Sequence, residues 1–122
     1  MGTKLTGQPR ENTPVVAVTR KVDGYFVGIL GDKGREVKMR RGKGNVYSFQ
    51  VEDTDFPTEL KTPEGKYIEA IIDIGAKVCI FAPKVLHEAL QGANVGDKIK
   101  LVYLGKVQGQ NADYHNFDVE KI

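Results

Sequence analysis

Apolar and polar positions alternate along most of this chain in short runs cut by glycine, and one stretch alone follows a longer period. In Val46-Tyr47-Ser48-Phe49-Gln50-Val51, Tyr47, Phe49 and Val51 fall on one face and Ser48 and Gln50 on the other, because successive side chains of an extended chain point to opposite sides. The same reading predicts strands over 15–18, 25–30, 36–40, 45–51, 67–74, 77–81, 98–104 and 114–119. Asp23-Gly24, Gly31-Asp32-Lys33-Gly34, Arg41-Gly42-Lys43-Gly44 and the stretch 109–113 supply turn chemistry between them. Residues 56–65 read as a polar loop with two prolines, and Gly28 marks a bulge or bend inside its strand. The exception to the two-residue period is 83–91. There Val85, Leu86, Ala89 and Leu90 recur at helical spacing behind Pro83, a residue suited to the first helical position, with Gly92 as the terminating residue.

Several strands, one short helix and two closing strands in 122 residues predict an all-β fold with one helix, a five-stranded Greek-key barrel of the oligonucleotide- or oligosaccharide-binding (OB) type. Residues 1–13 lack periodicity and read as a flexible arm, leaving 14–122 as a single domain. The composition, 40% hydrophobic and 28% charged, is that of a globular chain and excludes wholesale disorder. No apolar run approaches the ~18 residues of a membrane span, and the first residues carry no signal-peptide core. A cytoplasmic protein without membrane contact is expected, and one cysteine, Cys79, agrees with a reducing compartment.

Net charge is only +2, but it is segregated. Lys33, Arg35, Lys38, Arg40, Arg41 and Lys43 surround a single acid, Glu36, whereas Glu52, Asp53, Asp55 and Glu59 follow with no base among them. A basic arm on a nearly neutral domain fits a defined anionic groove; it equally fits a solvated hairpin whose lysines protect an edge.

The runs GYFVGIL, GKGNVYSFQVED, GDKIKLVYLGK and YHNFDVE, within 25–120, resemble the compact single-stranded-DNA-binding proteins of the OB fold found in bacteria and their phages. That resemblance implies a largely sequence-independent strand-binding role in DNA replication, recombination or repair, with RNA as the alternative strand and a homo-oligomer as one possible assembly. The chain differs from the bacterial replication members in lacking tryptophan and in showing no acidic tail after Asp118-Val119-Glu120. The difference bears on recruitment of other proteins more than on strand binding. An OB barrel can also be a protein-interaction or assembly module without nucleic-acid binding.

Single strands are held by cations that follow phosphates and by flat rings on which bases stack. Lys38, Arg40, Arg41 and Lys43 are the expected phosphate contacts. If Val78 and Ile80 face inward, Lys77, Cys79 and Phe81 form an exposed stripe, making Phe81 the leading stacking residue and Lys77 its neighbouring cation. Tyr25, Tyr103 and Tyr114, at strand ends or beside turns, are further base contacts, and Ser48, Gln50 and Asn116 offer hydrogen bonds from outward faces; Tyr47, Phe49 and Phe117 are assigned to the core. No catalytic residue, metal site or cofactor is expected. His87, placed on the helix surface, and His115 lack ligand spacing with Cys79, and no activating base for that cysteine is identifiable.

Overall fold

A computed structural model of the protein describes residues 13–39 and 42–122. The elements are β1 (Val15–Val16), β2 (Tyr25–Leu30), β3 (Arg35–Met39), β4 (Gly42–Thr54), β5 (Thr58–Lys61), β6 (Tyr67–Glu69), β7 (Lys77–Ala82), α1 (Lys84–Leu90), β8 (Lys98–Val107) and β9 (Tyr114–Lys121). All nine strands belong to one sheet ordered β6-β5-β1-β7-β4-β2-β8-β9, with β3 paired to β4 beside that path. The fold is mostly β with one helix, as the alternation predicts. Among the described residues the sheet is open, with β6 and β9 at its ends, and it holds nine strands where five were expected. One of the extra strands comes from the segment read as a loop: Thr58–Lys61 pairs with both β1 and Tyr67–Glu69. The strand expected over 67–74 stops at Glu69.

The core is the product of the two-residue period. Phe26 and Leu30 of β2, Tyr47, Phe49 and Val51 of β4, Val78 and Ile80 of β7, Ile99, Leu101 and Tyr103 of β8 and Phe117 of β9 are buried in one cluster. Phe26 and Phe49 meet edge to face at 5.2 Å, an arrangement favoured by ring quadrupoles. Two bulges curve the sheet about this cluster. At the first, Val27 pairs with Asp53 and Gly28 with Val51, so that β4 carries Glu52 as an extra residue. Gly28 is required there: a Cβ would lie 2.7 Å from the Phe26 ring and 2.9 Å from the Gln50 carbonyl oxygen. At the second, Tyr103 pairs with Phe117 and Gly105 with Asn116, and Gly105 takes φ 98°, which a side chain would strain.

Helix α1 packs against β7 and β9 and brings Leu86 and Leu90 fully into the cluster. It starts one residue later than expected, with Pro83 as an extended N-cap rather than the first helical residue, and its C-cap is Gln91, not Gly92. Lys33 accounts for this ending. Its ammonium reaches from the β2–β3 turn to the Gln91 carbonyl at 3.3 Å and to the Ala93 carbonyl, satisfying acceptors that a helix end leaves open. One cation of the basic run is therefore committed to holding the helix. Among the described residues no helix is long and apolar enough to cross a membrane.

Candidate functional site

The long strand β4 carries the charge segregation from one end to the other. Its acidic end is neutralised by distant bases: Glu52 pairs with Lys98 at 2.7 Å and Asp55, just beyond the strand, with Lys21 at 2.8 Å. Glu59 of β5 likewise pairs with Arg20 at 2.9 Å. The hydrogen bonds from Lys21 and from the Tyr25 amide hold the Asp55 carboxyl below its usual range. At the basic end, Lys38 stands opposite Lys43 across the β3–β4 pair, and Glu36 relieves their repulsion by approaching Lys43 at 3.5 Å. Both lysines are exposed. The other two expected phosphate contacts, Arg40 and Arg41, lie outside the described residues.

Beyond Tyr47 the inward-pointing positions of β4 run past the core, so Asn45 and Lys43 project over the junction of β7 and α1. A cleft of about 440 Å³ opens there, lined by Lys43, Asn45, Phe81, Pro83, Lys84 and His87. It adjoins a wider one of about 880 Å³ that shares Pro83 and Lys84 and continues along Asn111, Tyr114, His115 and Asn116 of the β8–β9 connection. Glu88 and Asp113 line only the wider half, which leaves Lys43 and Lys84 as the cationic side. Phe81 is half-buried and lines the narrower half, and Tyr114 is 42% exposed and lines the wider one. Arg35, Val46 and Phe81 form a row across three strands on one face of the sheet.

Four of the expected site residues, Lys43, Phe81, Tyr114 and Asn116, are thus brought together, with Lys38 on the adjoining hairpin. Lys77 and Gln50 face each other four residues back from Phe81 on β7, roughly 13 Å away at ~3.3 Å per residue. Both are exposed, and the Gln50 amide donates to the Gly75 carbonyl at 3.3 Å.

Four expectations are corrected. Ser48 is 6% exposed and Cys79 3%; the exposed stripe on β7 is broken because this strand is flanked on both sides, by β4 and by the parallel β1, with Val15 beside Cys79 and the Pro14 carbonyl taking its amide. Burial pushes the Cys79 thiol above its usual value, partly offset by the Ser48 hydrogen bond. Tyr103 is buried because β8 runs on through Gly105 to Val107, placing this residue in mid-strand rather than at an end. Tyr25 is not among the four: it stands half-buried at the start of β2, as expected, and its side-chain hydrogen bond with Asp53 raises its titration. His87 is half-buried rather than riding on the surface, with Nδ1 2.8 Å from the Tyr47 hydroxyl.

Lys84 and Asn45 were missed as site residues. The signal for Lys84 was present in the sequence, a lone cation immediately after a strand and a proline, but its role follows only from the way α1 folds back beside β9. Among the described residues no group of three or more His, Cys, Asp or Glu side chains could hold a metal ion. No family model matches the chain, and no curated protein or solved structure matches it significantly.

Proposed function

We propose that the protein binds single-stranded nucleic acid, single-stranded DNA before RNA, with little sequence preference, and serves replication, recombination or repair. The observation that carries this reading is the cleft itself, in which Phe81 and Tyr114 flank a path marked by Lys43 and Lys84. A ring in each half suits unstacked bases and the lysines suit the phosphates between them, whereas a duplex hides its base faces. The strand order supports it further. The path β7-β4-β2-β8-β9, with α1 inserted between β7 and β8, is the order of a five-stranded OB barrel, on which β1, β5 and β6 extend the β7 side. Anisotropy of a labelled oligothymidine, set beside a labelled DNA hairpin at two salt concentrations, tests the reading. Saturable, salt-sensitive binding of the oligothymidine with weaker binding of the hairpin supports it; equal affinity for both, or none at low salt, overturns it.

A protein-assembly role draws on a separate observation. The edge strand β6 is exposed throughout, and Ile71 and Ile74 beyond it are 97% and 83% exposed, an apolar edge of the kind that adds a strand from a second copy. Sedimentation velocity distinguishes this second reading: a dimer converted to monomer by Ile71→Asp with Ile74→Asp supports it, and a monomeric wild type excludes it.

A further inference from the structure

Two tyrosine–histidine pairs stand behind the cleft, one in each half. The Tyr47 hydroxyl lies 2.8 Å from Nδ1 of His87, which lines the narrower half, and the Tyr103 hydroxyl lies 2.7 Å from Nδ1 of His115, which lines the wider half. Both tyrosines belong to the buried core and both histidines are half-buried. The rings are held alike, with centroids 5.9 and 5.6 Å apart and tilts of 52° and 55°.

Donor counting and distance favour one proton arrangement in the first pair. Gln91 Nε2 donates to the Tyr47 oxygen at 2.6 Å, so this hydroxyl spends its own hydrogen elsewhere. Its two acceptors are His87 Nδ1 at 2.8 Å and the His87 carbonyl at 3.4 Å; the shorter contact is the stronger hydrogen bond. When Nδ1 is that acceptor, the proton of a neutral ring resides on Nε2. The same arrangement at the 2.7 Å contact, with Tyr103 as donor to His115 Nδ1, gives the second ring the same tautomer and belongs to the proposal that follows.

We propose that His87 and His115 are strand-contacting residues, each locked by a core tyrosine so that an Nε2–H donor faces one half of the cleft. An N–H donor recognises the acceptors that a single strand offers everywhere, phosphate oxygens and base carbonyls. Such contacts add affinity without selecting sequence. This inference rests on the strand-binding reading and specifies how each half of the cleft holds its nucleotide. Tyr47 and Tyr103 act as positioning residues, through the histidines. Because a neutral donor displaces no counterion, the histidine contacts leave the salt slope unchanged, unlike those of Lys43 and Lys84.

The test uses the full chain labelled with nitrogen-15. Long-range proton–nitrogen correlation of the histidine rings at pH 7.5 is expected to show both as the Nε2–H tautomer, and oligothymidine is expected to shift both Nε2 resonances. His87→Ala and His115→Ala are each expected to weaken oligothymidine binding by about tenfold, the size of one hydrogen bond to a charged acceptor, at unchanged salt slope. Glutamine, which keeps a donor near the Nε2 position, is expected to restore most of that loss, and a glutamine variant that binds as weakly as alanine counts against the proposal. Thermal melts of each variant separate lost contact from lost fold. An Nδ1–H tautomer in the free protein, or wild-type affinity in both alanine variants, overturns the proposal while leaving strand binding intact. Failure of the wild type to bind oligothymidine at all overturns the strand-binding reading and this inference with it.

Discussion

Truncation of Phe81 to alanine separates a ring that stacks on a ligand from one that only packs. Phe81 stands across from the buried Val46, is itself half-buried and is among the residues that line the cleft. A fully buried phenylalanine costs ~3–5 kcal/mol on truncation; at half that burial the expected loss is about 2 kcal/mol. For a domain of this length ~3–5 °C of melting temperature accompany each kcal/mol, so the variant should melt about 6–10 °C early and remain folded at room temperature. A lost base stack should remove a further ~1–3 kcal/mol from binding, raising the dissociation constant about 5- to 150-fold. Thermal melting followed by oligothymidine anisotropy at 20 °C and three salt concentrations reads both effects. The slope of log affinity on log salt should not change, since a ring releases no counterion. A variant that melts far earlier than this range yet binds normally when folded refutes the stacking role and assigns the ring to the core. Tyr114→Ala provides the matched control: its exposed ring should lower affinity with little change in melting temperature.

Replacing Lys43 and Lys84 together by alanine should weaken binding of every oligonucleotide and flatten the salt slope by about 1.4, at ~0.7 per phosphate contact on a single strand; an unchanged slope in a titration series places the phosphates elsewhere. Cys79 should react with a water-soluble disulfide reagent at least about 100-fold more slowly in the native protein than in denaturant, because it is buried and its thiol is held above the usual value, and labelling within seconds at pH 8 contradicts its placement. Asp55 has a folded-state value depressed by Lys21 and the Tyr25 amide, so its contribution is present above the unfolded value of about 4 and fades as pH falls through the folded one. Asp55→Asn should accordingly be less stable than wild type at pH 7, with the gap closing in urea melts as pH falls below the unfolded value, and a gap constant with pH contradicts the assignment.

The strand periods were legible because they depend only on the pleat. Tyr47, Phe49 and Val51 turn inward as the alternation requires, and Gly28 sits at a bulge because no side chain fits beneath the Phe26 ring. Alternation assigns a side but not what covers it. Ser48 and Cys79 occupy outward positions and are nevertheless buried, where β7 lies between β1 and β4. Thr58–Lys61 escaped notice between Pro57 and Pro63, since its strand character comes from partners on β1 and β6 rather than from its own residues. Lys33 looked like one more cation of a phosphate arm, and only the approach of α1 shows that it serves the helix carbonyls. The candidate cleft follows the same logic. Phe81, Lys43, Tyr114 and Asn116 could be picked out by chemistry, but Lys84 joins them only through the fold.

Amide chemical-shift mapping of the nitrogen-labelled protein during titration with oligothymidine tests the central claim most directly, because it reports where the strand lies as well as whether it binds. The account predicts the largest shifts at Lys43, Asn45, Phe81, Lys84, Tyr114 and Asn116, with little change at Tyr25, Asp53 and Asp55 on the acidic side. Shifts centred on that acidic side or on the β6 edge, or a spectrum that oligothymidine leaves unchanged, would contradict it.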